Sequence, residues 1–153
     1  MHIRKYKPGE EQELWNLFYN TVRAVNLADY TQQQVEAWAP DDADMSKWHK
    51  RIEGINPYVC IEDDAIIGYT DLQPEGYIDH FYVHHQRQRR GVGKLLYETV
   101  ETEALRKQIA QLTSEVSITA RPFFESCGFE VVEPQEVYIG DIAFRNFKMR
   151  KSL

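Results

Sequence analysis

The spacing of apolar residues along the chain predicts five helices. Over residues 10–26, and again over residues 92–107, apolar side chains recur at three- and four-residue steps, which gathers them on one helix face. Shorter helices are predicted from near Thr31 to Pro40, over residues 45–52, and over residues 120–126. Helices therefore occupy most of the first third of the chain.

Runs rich in β-branched and aromatic residues predict strands between and after these helices. They cover residues 2–6, 58–61, 66–72, 77–83, 112–117, 129–138 and 142–149. In the run 77–83, alternation puts Tyr77, Asp79 and Phe81 on one face and His80 and Tyr82 on the other. The order of elements indicates an α/β (α+β) fold, in which helices pack on one layer of mixed, mostly antiparallel sheet.

Length and composition limit the classes of protein to which the chain can belong. A length of 153 residues with 42% hydrophobic residues indicates a single folded domain over residues 1–153. The formal net charge of -6 argues against a nucleic-acid binder, because neutralising phosphates requires a broad basic face. Cys60 and Cys127 stand alone, and no apolar run is long enough for a signal core or a membrane span. A cytoplasmic protein with no membrane partner is expected.

The segment 88–94 differs from this acidic background. Its sequence, Gln-Arg-Arg-Gly-Val-Gly-Lys, joins the predicted strand 77–83 to the predicted helix 92–107. Gly91 and Gly93 let the backbone approach a ligand closely, and unpaired N–H groups at a helix start carry positive partial charge. Such a turn is typical of a diphosphate site, although it lacks the third glycine of a dinucleotide fingerprint and the Gly-Lys-Ser/Thr of a P-loop. A plain strand-to-helix turn explains the segment equally well by itself.

Three signatures together resemble the GCN5-related N-acetyltransferase (GNAT) family. Val83-x5-Gln88-x-x-Gly91-x-Gly93-x-Leu95-Leu96 is similar to the family's acetyl-coenzyme A diphosphate motif. Ala120-x-x-Phe123-Phe124-Glu125-x-x-Gly128-Phe129 resembles its Ala-x-x-aromatic-Tyr-Glu-x-x-Gly-Phe motif, and Met149-x-Lys151-x-Leu153 resembles the end of its final strand. The resemblance covers the whole chain. It implies the acyl-CoA N-acyltransferase fold, with about six or seven strands and helices on both faces of the sheet.

The same resemblance implies an activity and a cofactor site. The activity is transfer of an acetyl group from acetyl-CoA, by direct attack, to a primary amine of a small molecule or peptide, with no metal. The implied diphosphate ligands are backbone groups of Gln88, Arg89, Arg90, Gly91, Val92, Gly93 and Lys94. The backbone at Phe81 and Val83, on a strand splayed from its neighbour, would pair with pantetheine. An N–H near Phe81 would then donate to the acetyl oxygen and to the oxyanion of the tetrahedral intermediate.

Direct attack requires a neutral amine, so a base or a water chain must accept its proton. Asp79 and Tyr77 share the predicted face of Phe81, at positions where some family members carry a base, and Asp79 is the first candidate. Tyr77 is the weaker candidate, because the ordinary pKa of tyrosine is about 10. For Asp79 the alternative is a structural carboxylate that binds a nearby backbone group or an arginine.

The histidines His80, His84 and His85 form the one histidine cluster of the chain. Alternation turns His80 away from Asp79, and a metal site needs three or four converging ligands, which this run alone does not supply. No metal site is expected.

Two positions depart from the family pattern. Phe124 stands where many members have a tyrosine whose hydroxyl is thought to protonate the departing thiolate, so Phe124 is expected only to pack beside pantetheine. Water, Tyr138 or Ser126 are the substitutes for that hydroxyl. Ser117 stands where an asparagine that contacts the cofactor is common, which implies a weaker contact with the cofactor.

The segment 27–45 is the expected wall of the acceptor pocket, because the family commonly builds that wall from the chain after its first helix. It is acidic and contains Tyr30 and Trp38, a combination that favours a cationic amine. A solvated acidic loop with Trp38 in the core explains it equally well. Exposed edge strands near the C-terminus also make a homodimer possible.

Two other functional classes remain open at this stage. The missing tyrosine at position 124 is compatible with a non-catalytic acyl-CoA sensor or interaction module. An acyltransferase that uses a longer acyl donor, or that acylates a hydroxyl group, is the second alternative.

Overall fold

Five α-helices and eight β-strands make up the computed structural model, which describes all 153 residues. The strands are β1 (His2–Lys5), β2 (Tyr58–Glu62), β3 (Ala65–Thr70), β4 (Tyr77–Ile78), β5 (Phe81–Val83), β6 (Gln111–Ser117), β7 (Glu130–Ile139) and β8 (Ile142–Ser152). The helices are α1 (Glu11–Ala24), α2 (Gln32–Trp38), α3 (Met45–Ile55), α4 (Val92–Arg106) and α5 (Arg121–Ser126), with a 3-10 turn at Asn26–Ala28. Every predicted helix is present, and none is long and apolar enough to cross a membrane.

The strands form two four-stranded sheets, in the orders β1-β2-β3-β5 and β4-β6-β8-β7. The prediction of one continuous strand over residues 77–83, in a single layer of sheet, is therefore wrong. Its first part, β4, runs parallel to β6, whereas its last part, β5, pairs antiparallel with β3. The chain changes sheet at Asp79 and His80, so the two sheets diverge after β4 and leave a cleft between β5 and β6.

Side chains satisfy the backbone groups at this break. The carboxylate of the fully buried Asp71, which follows β3, accepts hydrogen bonds from the backbone N–H of Asp79 at 3.1 Å and of His80 at 2.6 Å. The Thr70 hydroxyl donates to the His80 carbonyl at 2.8 Å, and the Ser114 hydroxyl donates to the Ile78 carbonyl at 2.8 Å. These bonds replace the ladder bonds that a continuous strand would have made.

The break also shifts the alternation of side chains. Ile78 and Phe81 both face the core under α4 and α5, whereas His80 packs against the rings of Phe18 and Trp48 on the side of α1. A regular strand would have put Ile78 and His80 on the same face. His80 therefore lies on the opposite side from Phe81, as predicted, but it does not share a face with Ile78.

Helices cover both faces of the sheets, as predicted. On one side, α1 packs against β3 and β5 and buries Leu14, while α2 packs against β8 and buries Val35; on the other side, α4 packs against β2 and β3 and buries Val100. The strand β7 forms the outer edge of its sheet and exposes Val132, Tyr138 and Ile139. A homodimer through this edge stays a prediction.

Candidate active site

The start of α4 presents unpaired backbone N–H groups. Gly91 precedes the helix with φ of 83°, and no side chain caps the helix. The first intrahelical bond of the turn is from Leu95 N–H to the Gly91 carbonyl, so the N–H groups of residues 92–94 point out of the helix end. Arg89 also has a left-handed backbone, with φ of 60°. The basic segment 88–94 therefore has a backbone geometry that suits an anion.

A cavity of about 570 Å³ opens at this turn; we call it the helix-end cavity. It is lined by Phe81, Tyr82, Val83, Gln88, Arg89, Gly91, Gly93, Lys94, Ser117, Thr119, Ala120, Phe123 and neighbouring residues of α1 and α5. Arg89 and Lys94 are its charged side chains, and it has no carboxylate, in a chain whose net charge is -6. The Thr119 hydroxyl is buried there without a hydrogen-bond partner. The cavity is suited to an anionic ligand with polar groups.

Not every residue of the segment 88–94 reaches this cavity with its side chain. The side chain of Val92 is buried in the core, and that of Arg90 points to solvent away from the cavity. A Cβ at Gly93 would lie 3.1 Å from a ring carbon of Phe123, so the ring would have to move by a few tenths of an ångström to make room for it. Gly93 thus lets the ring of Phe123 pack against the start of the helix and form one wall of the cavity.

The edge of β5 faces the cleft between the sheets. The N–H of His84 donates to the Ile67 carbonyl at 2.8 Å, and Phe81 and Val83 lie opposite Thr70 and Gly68. Backbone groups of an antiparallel strand point alternately toward and away from the partner strand, so those of Phe81 and Val83 point away from β3. Those of Phe81 are available for a ligand that lies along β5, whereas the Val83 carbonyl accepts hydrogen bonds from the side chains of Thr21 and Gln88.

A second cavity, of about 410 Å³, lies on the other side of the cleft; we call it the aromatic cavity. Its rings include those of Phe18, Tyr30, Trp38, Tyr77, Tyr82, Phe124 and Phe144, and its charged groups are Arg51, Asp79 and Glu115. The structure thus brings together Tyr30, Trp38, Tyr77 and Asp79, all of which were candidates from the sequence.

The two cavities meet in the cleft. Phe81 and Tyr82 of β5 line both of them, as do Ser117 and Ala120 at the end of β6. A molecule that enters along the helix-end cavity therefore reaches the aromatic cavity between Phe81 and Ser117.

Burial determines the protonation of two groups in the aromatic cavity. It raises the pKa of Tyr77 to about 12, so the Tyr77 hydroxyl is not ionised at neutral pH. It lowers the pKa of His80 to about 4, so the His80 imidazole is neutral, with its Nδ1 2.9 Å from the Tyr69 hydroxyl. Asp79 forms an ion pair between its Oδ2 and Nη2 of Arg51, at 2.8 Å, and its Oδ1 makes no side-chain bond.

The acidic side chains of the segment 27–45 do not line the aromatic cavity, so that part of the sequence expectation is wrong. Asp41 binds the Tyr19 hydroxyl and lies 3.3 Å from Arg23, and Asp44 caps α3 through the N–H of Ser46 at 3.0 Å. The carboxylates of the cavity come instead from Asp79 and from Glu115.

Tyr30 contributes its ring, and not its hydroxyl, to the aromatic cavity. The hydroxyl donates to the Arg145 carbonyl at 2.6 Å and accepts from the N–H of Ile118 at 3.0 Å. The ring stands at 82° to that of Trp38, with centroids 5.4 Å apart. Trp38 is only partly buried, so it is available to a ligand in the cavity.

Phe124 lines the aromatic cavity, whereas its neighbour Phe123 lines the helix-end cavity. The Phe124 ring packs 5.5 Å from that of Phe81 and 5.0 Å from that of Phe129. Neither Ser126 nor Tyr138 lines either cavity, so the expectation that one of them replaces the tyrosine hydroxyl is not supported. The hydroxyl side chains that line both cavities belong to Ser117 and Tyr82.

The three clustered histidines do not converge. His84 and His85 stack on each other with centroids 4.6 Å apart, while His80 is buried behind Tyr69. No group of three or more His, Cys, Asp or Glu side chains is arranged to hold a metal ion.

The sequence analysis missed Asp71, Arg51 and Glu115. For Asp71 a signal was present, since a carboxylate inside the buried run 66–72 requires hydrogen-bond donors around it. Arg51 and Glu115 are exposed residues of α3 and β6, and only the fold brings them to the cavity.

Comparisons with known proteins agree with this geometry. Residues 26–153 match the sequence profile described as an acetyltransferase (GNAT) domain. The chain is 35% identical over 150 residues to the N-acetyltransferase YafP of Escherichia coli (strain K12), covering 98% of this chain and 95% of that protein.

Solved structures give the same result. A GCN5-related N-acetyltransferase from Rhodopseudomonas palustris is 28% identical, with a TM-score of 0.94 over 99% of this chain and 95% of that one. The PaiA N-acetyltransferase of Thermoplasma acidophilum, solved in complex with coenzyme A, shares the fold at 17% identity, with a TM-score of 0.76 over 99% and 98% of the two chains. The matched domain and the relative show that the chain belongs to the GCN5-related N-acetyltransferase family and is an acetyltransferase, and the two cavities that meet beside β5 agree with this.

Proposed function

We propose that the protein transfers the acetyl group of acetyl-CoA directly to a primary amine of a small molecule or peptide. The observation that carries the proposal is the meeting of the two cavities between Phe81 and Ser117. A donor in one cavity and an acceptor in the other would bring the thioester carbon and the amine together in the cleft. Neither Cys60 nor Cys127 lines a cavity, so no thiol is available to carry the acetyl group between them.

The helix-end cavity is the proposed site of acetyl-CoA. Its diphosphate would accept hydrogen bonds from the N–H groups of Val92, Gly93 and Lys94, with the side chains of Arg89 and Lys94 adding positive charge. The bound coenzyme A in the related PaiA structure supports this choice of donor. Arg90 would then contribute to diphosphate binding through its backbone and through the long-range attraction of its positive charge.

The pantetheine arm would lie along the open edge of β5. Its amides would pair with the outward backbone groups of Phe81 and Val83, as an added strand pairs with a sheet edge. The Val83 carbonyl at present accepts from the side chains of Thr21, at 3.1 Å, and Gln88, at 2.8 Å. Rotation of the Gln88 side chain would free one acceptor site for the cofactor.

The Phe81 N–H is the proposed oxyanion donor. Attack of the amine nitrogen on the thioester carbon forms a C–N bond and moves an electron pair onto the carbonyl oxygen. A backbone N–H held in position by the β3–β5 pairing stabilises that charge without reorganisation, which is worth about 3 kcal/mol in comparable sites. Collapse of the intermediate breaks the C–S bond and releases the coenzyme A thiolate.

Asp79 is the proposed acceptor of the amine proton, directly or through one water. Its Oδ1 has no side-chain partner, whereas Arg51 occupies Oδ2. Tyr77 is the weaker candidate because its pKa of about 12 keeps it protonated. His80 is the weaker candidate as well, because its side chain is buried and its Nδ1 lies 2.9 Å from the Tyr69 hydroxyl.

A proton for the departing thiolate would come from water, either directly or relayed through the Ser117 hydroxyl, which regains its hydrogen from that water. The Ser117 oxygen accepts a hydrogen bond from the Ala120 N–H at 3.0 Å, which leaves its own hydrogen free to donate. Ser117 also lines both cavities, whereas Phe124 has no proton to give.

The proposal is tested by incubating the protein with acetyl-CoA and a panel of primary amines, while measuring free thiol and detecting the N-acetylated product by mass spectrometry. We expect the rate of amine-dependent thiol release to be higher with acetyl-CoA than with succinyl-CoA. Acetyl-CoA binding without turnover of any amine would contradict the proposal and favour a sensor. Turnover restricted to a longer acyl donor or to hydroxyl acceptors would contradict it in favour of the other acyltransferase classes.

A further inference from the structure

We infer that the acceptor is a small amine with one positive charge and an apolar, ring-bearing body, and without a carboxylate. This inference rests on the proposed function and concerns the aromatic cavity alone. Twelve of the 19 residues that line this cavity are hydrophobic, and its volume is about 410 Å³. A cavity of that size and lining holds a compact apolar molecule rather than an extended polar one.

One part of the cavity wall is a corner formed by three aromatic rings. Tyr30, Trp38 and Phe144 lie with their centroids between 5.4 and 6.0 Å apart, and Trp38 stands at 82° to each of the others. The Tyr30 hydroxyl is occupied by two backbone groups, so this corner offers faces and edges of rings and no free hydroxyl group. A planar ring of the acceptor would pack there in a tilted or edge-to-face arrangement.

The charges of the cavity limit the charge of the acceptor. Asp79 and Glu115 directly follow Ile78 and Ser114, which lie opposite each other in the parallel β4–β6 pair, and both carboxylates line the cavity. Arg51 pairs with Asp79, and Glu115 has no ion-pair partner. Since His80 is neutral, the cavity has one negative charge in excess, which matches a single ammonium group.

Other amines fit this cavity less well. An aminoglycoside carries many hydroxyl groups, and hydroxyl groups buried without partners against apolar walls are costly. A polyamine brings more positive charge than one unpaired carboxylate balances. An aromatic amino acid adds a carboxylate beside Asp79 and Glu115, while the guanidinium of Arg51 is already held by Asp79.

One polar group is left for the acceptor away from the carboxylates. The side chain of Asn146 lines the cavity, opposite Ser117 in the β6–β8 pair, and its Oδ1 has no hydrogen-bond partner. A hydroxyl or ring N–H on the acceptor body would donate a hydrogen bond to that oxygen once the side-chain amide of Asn146 rotates toward the cavity. Ring-bearing amines with such a donor should therefore be better acceptors than plain ones.

The experiment compares kcat/KM for phenethylamine, tyramine and tryptamine with that for spermidine, kanamycin, phenylalanine and a short peptide, at saturating acetyl-CoA. We expect kcat/KM for the ring-bearing monoamines to be at least about tenfold higher than kcat/KM for each of the other amines. Highest activity with a polyamine, an aminoglycoside, an amino acid or a peptide would overturn the inference and leave the proposed function intact. Absence of turnover with every amine, while acetyl-CoA still binds, would overturn the proposed function.

Variants of the wall provide a second measurement. Trp38→Ala should raise KM for the ring-bearing amine about tenfold and leave KM for acetyl-CoA unchanged, while Trp38→Phe should retain most of the affinity. The matched control is Gln33→Ala, at an exposed position of the same helix. If Trp38→Ala does not fold, Glu115→Gln replaces it, because Glu115 is exposed and unpaired. An unchanged KM for the ring-bearing amine in both Trp38→Ala and Glu115→Gln would overturn the inference.

Discussion

The carboxylate of Asp71 accepts the backbone N–H of His80 at 2.6 Å and so joins the end of β3 to the point where the chain leaves one sheet for the other. The same carboxylate binds the Asp79 N–H and the side-chain amide of Gln73. Because this buried carboxylate accepts from three donors, one strand can end and the next begin two residues later without leaving backbone N–H groups unpaired. The cleft between β5 and β6 depends on this contact.

Asp71→Asn is expected to change how stability depends on pH. Burial raises the pKa of Asp71 from 3.8 to about 6, so the folded protein binds more protons than the unfolded chain between these values. The stability from this group is complete below pH 3.8 and is lost as pH rises through 6, by about 3 kcal/mol. His80 has the opposite effect, because its lowered pKa of about 4 makes stability fall as pH drops below 6.5.

In the unmodified protein, Asp71 makes the free energy of unfolding fall as pH rises, whereas His80 makes it rise. Asp71→Asn removes the first of these two effects. Urea unfolding at a series of pH values should therefore give a free energy of unfolding that rises more steeply from pH 4 to 6.5 in the variant. Asp63→Asn, in the exposed turn before β3, is the control and should follow the unmodified protein. Parallel curves for Asp71→Asn and the unmodified protein would contradict the assigned shift.

Gly91→Ala tests the anion-binding turn. A Cβ at Gly91 meets no atom within 4 Å, but the φ of 83° is strained for any residue other than glycine. The strain is worth about 1 to 2 kcal/mol and is relieved by turning the N–H groups at the start of α4. Calorimetry should show coenzyme A affinity falling about tenfold or more.

Gly140→Ala is the matched control for this change. Gly140 also has a positive φ, of 57°, and open space around its Cβ position, but it lies in the β7–β8 turn. Both variants should lose similar stability, and only Gly91→Ala should lose coenzyme A affinity. Equal affinities in the two variants would show that the diphosphate binds elsewhere.

Asp79→Asn tests the proposed base. Asparagine keeps the shape of the side chain and an oxygen for Arg51, but it cannot accept the amine proton. We expect kcat to fall about 100-fold at neutral pH. Glu115→Gln, which changes the adjacent carboxylate of the same cavity, should raise KM for the amine and leave kcat nearly unchanged. If Asp79→Asn has the rate and pH profile of the unmodified protein, Asp79 has only a structural role.

Ser117→Ala tests the proposed proton donor. The hydroxyl of Ser117 lines the place where the two cavities meet, and without it the thiolate leaves unprotonated or takes its proton from water. A coenzyme A thiol resembles a cysteine thiol, with a pKa of about 8.5, so kcat should fall by about tenfold rather than vanish. Tyr82→Phe removes the other shared hydroxyl, and a larger loss there than in Ser117→Ala would assign the role to Tyr82.

Local sequence patterns predicted most of the elements and the basic turn, because helix periodicity and the glycines at 91 and 93 act within a few residues. The break at Asp79 and His80 was not predictable in the same way. It depends on Asp71, eight residues away in sequence, and on Thr70 and Ser114 from two other strands. A strand pattern over residues 77–83 contains no sign of these partners.

The lining of the aromatic cavity could also be predicted only in part from local sequence. Tyr30 and Trp38 were identified from an acidic segment, but none of its acids lines the cavity; Asp44 caps a helix and Asp41 pairs with Arg23. The carboxylates that do line the cavity come from β6 and from the break after β4, which only the parallel pairing of these strands brings together.

A crystal structure of the protein with coenzyme A tests the central claim most directly. The account predicts the diphosphate at the N–H groups of residues 92–94, pantetheine along Phe81 and Val83, and the sulfur between Phe81 and Ser117, at the entrance to the aromatic cavity. A diphosphate bound away from the start of α4, or a sulfur that does not reach the cleft between β5 and β6, would contradict it.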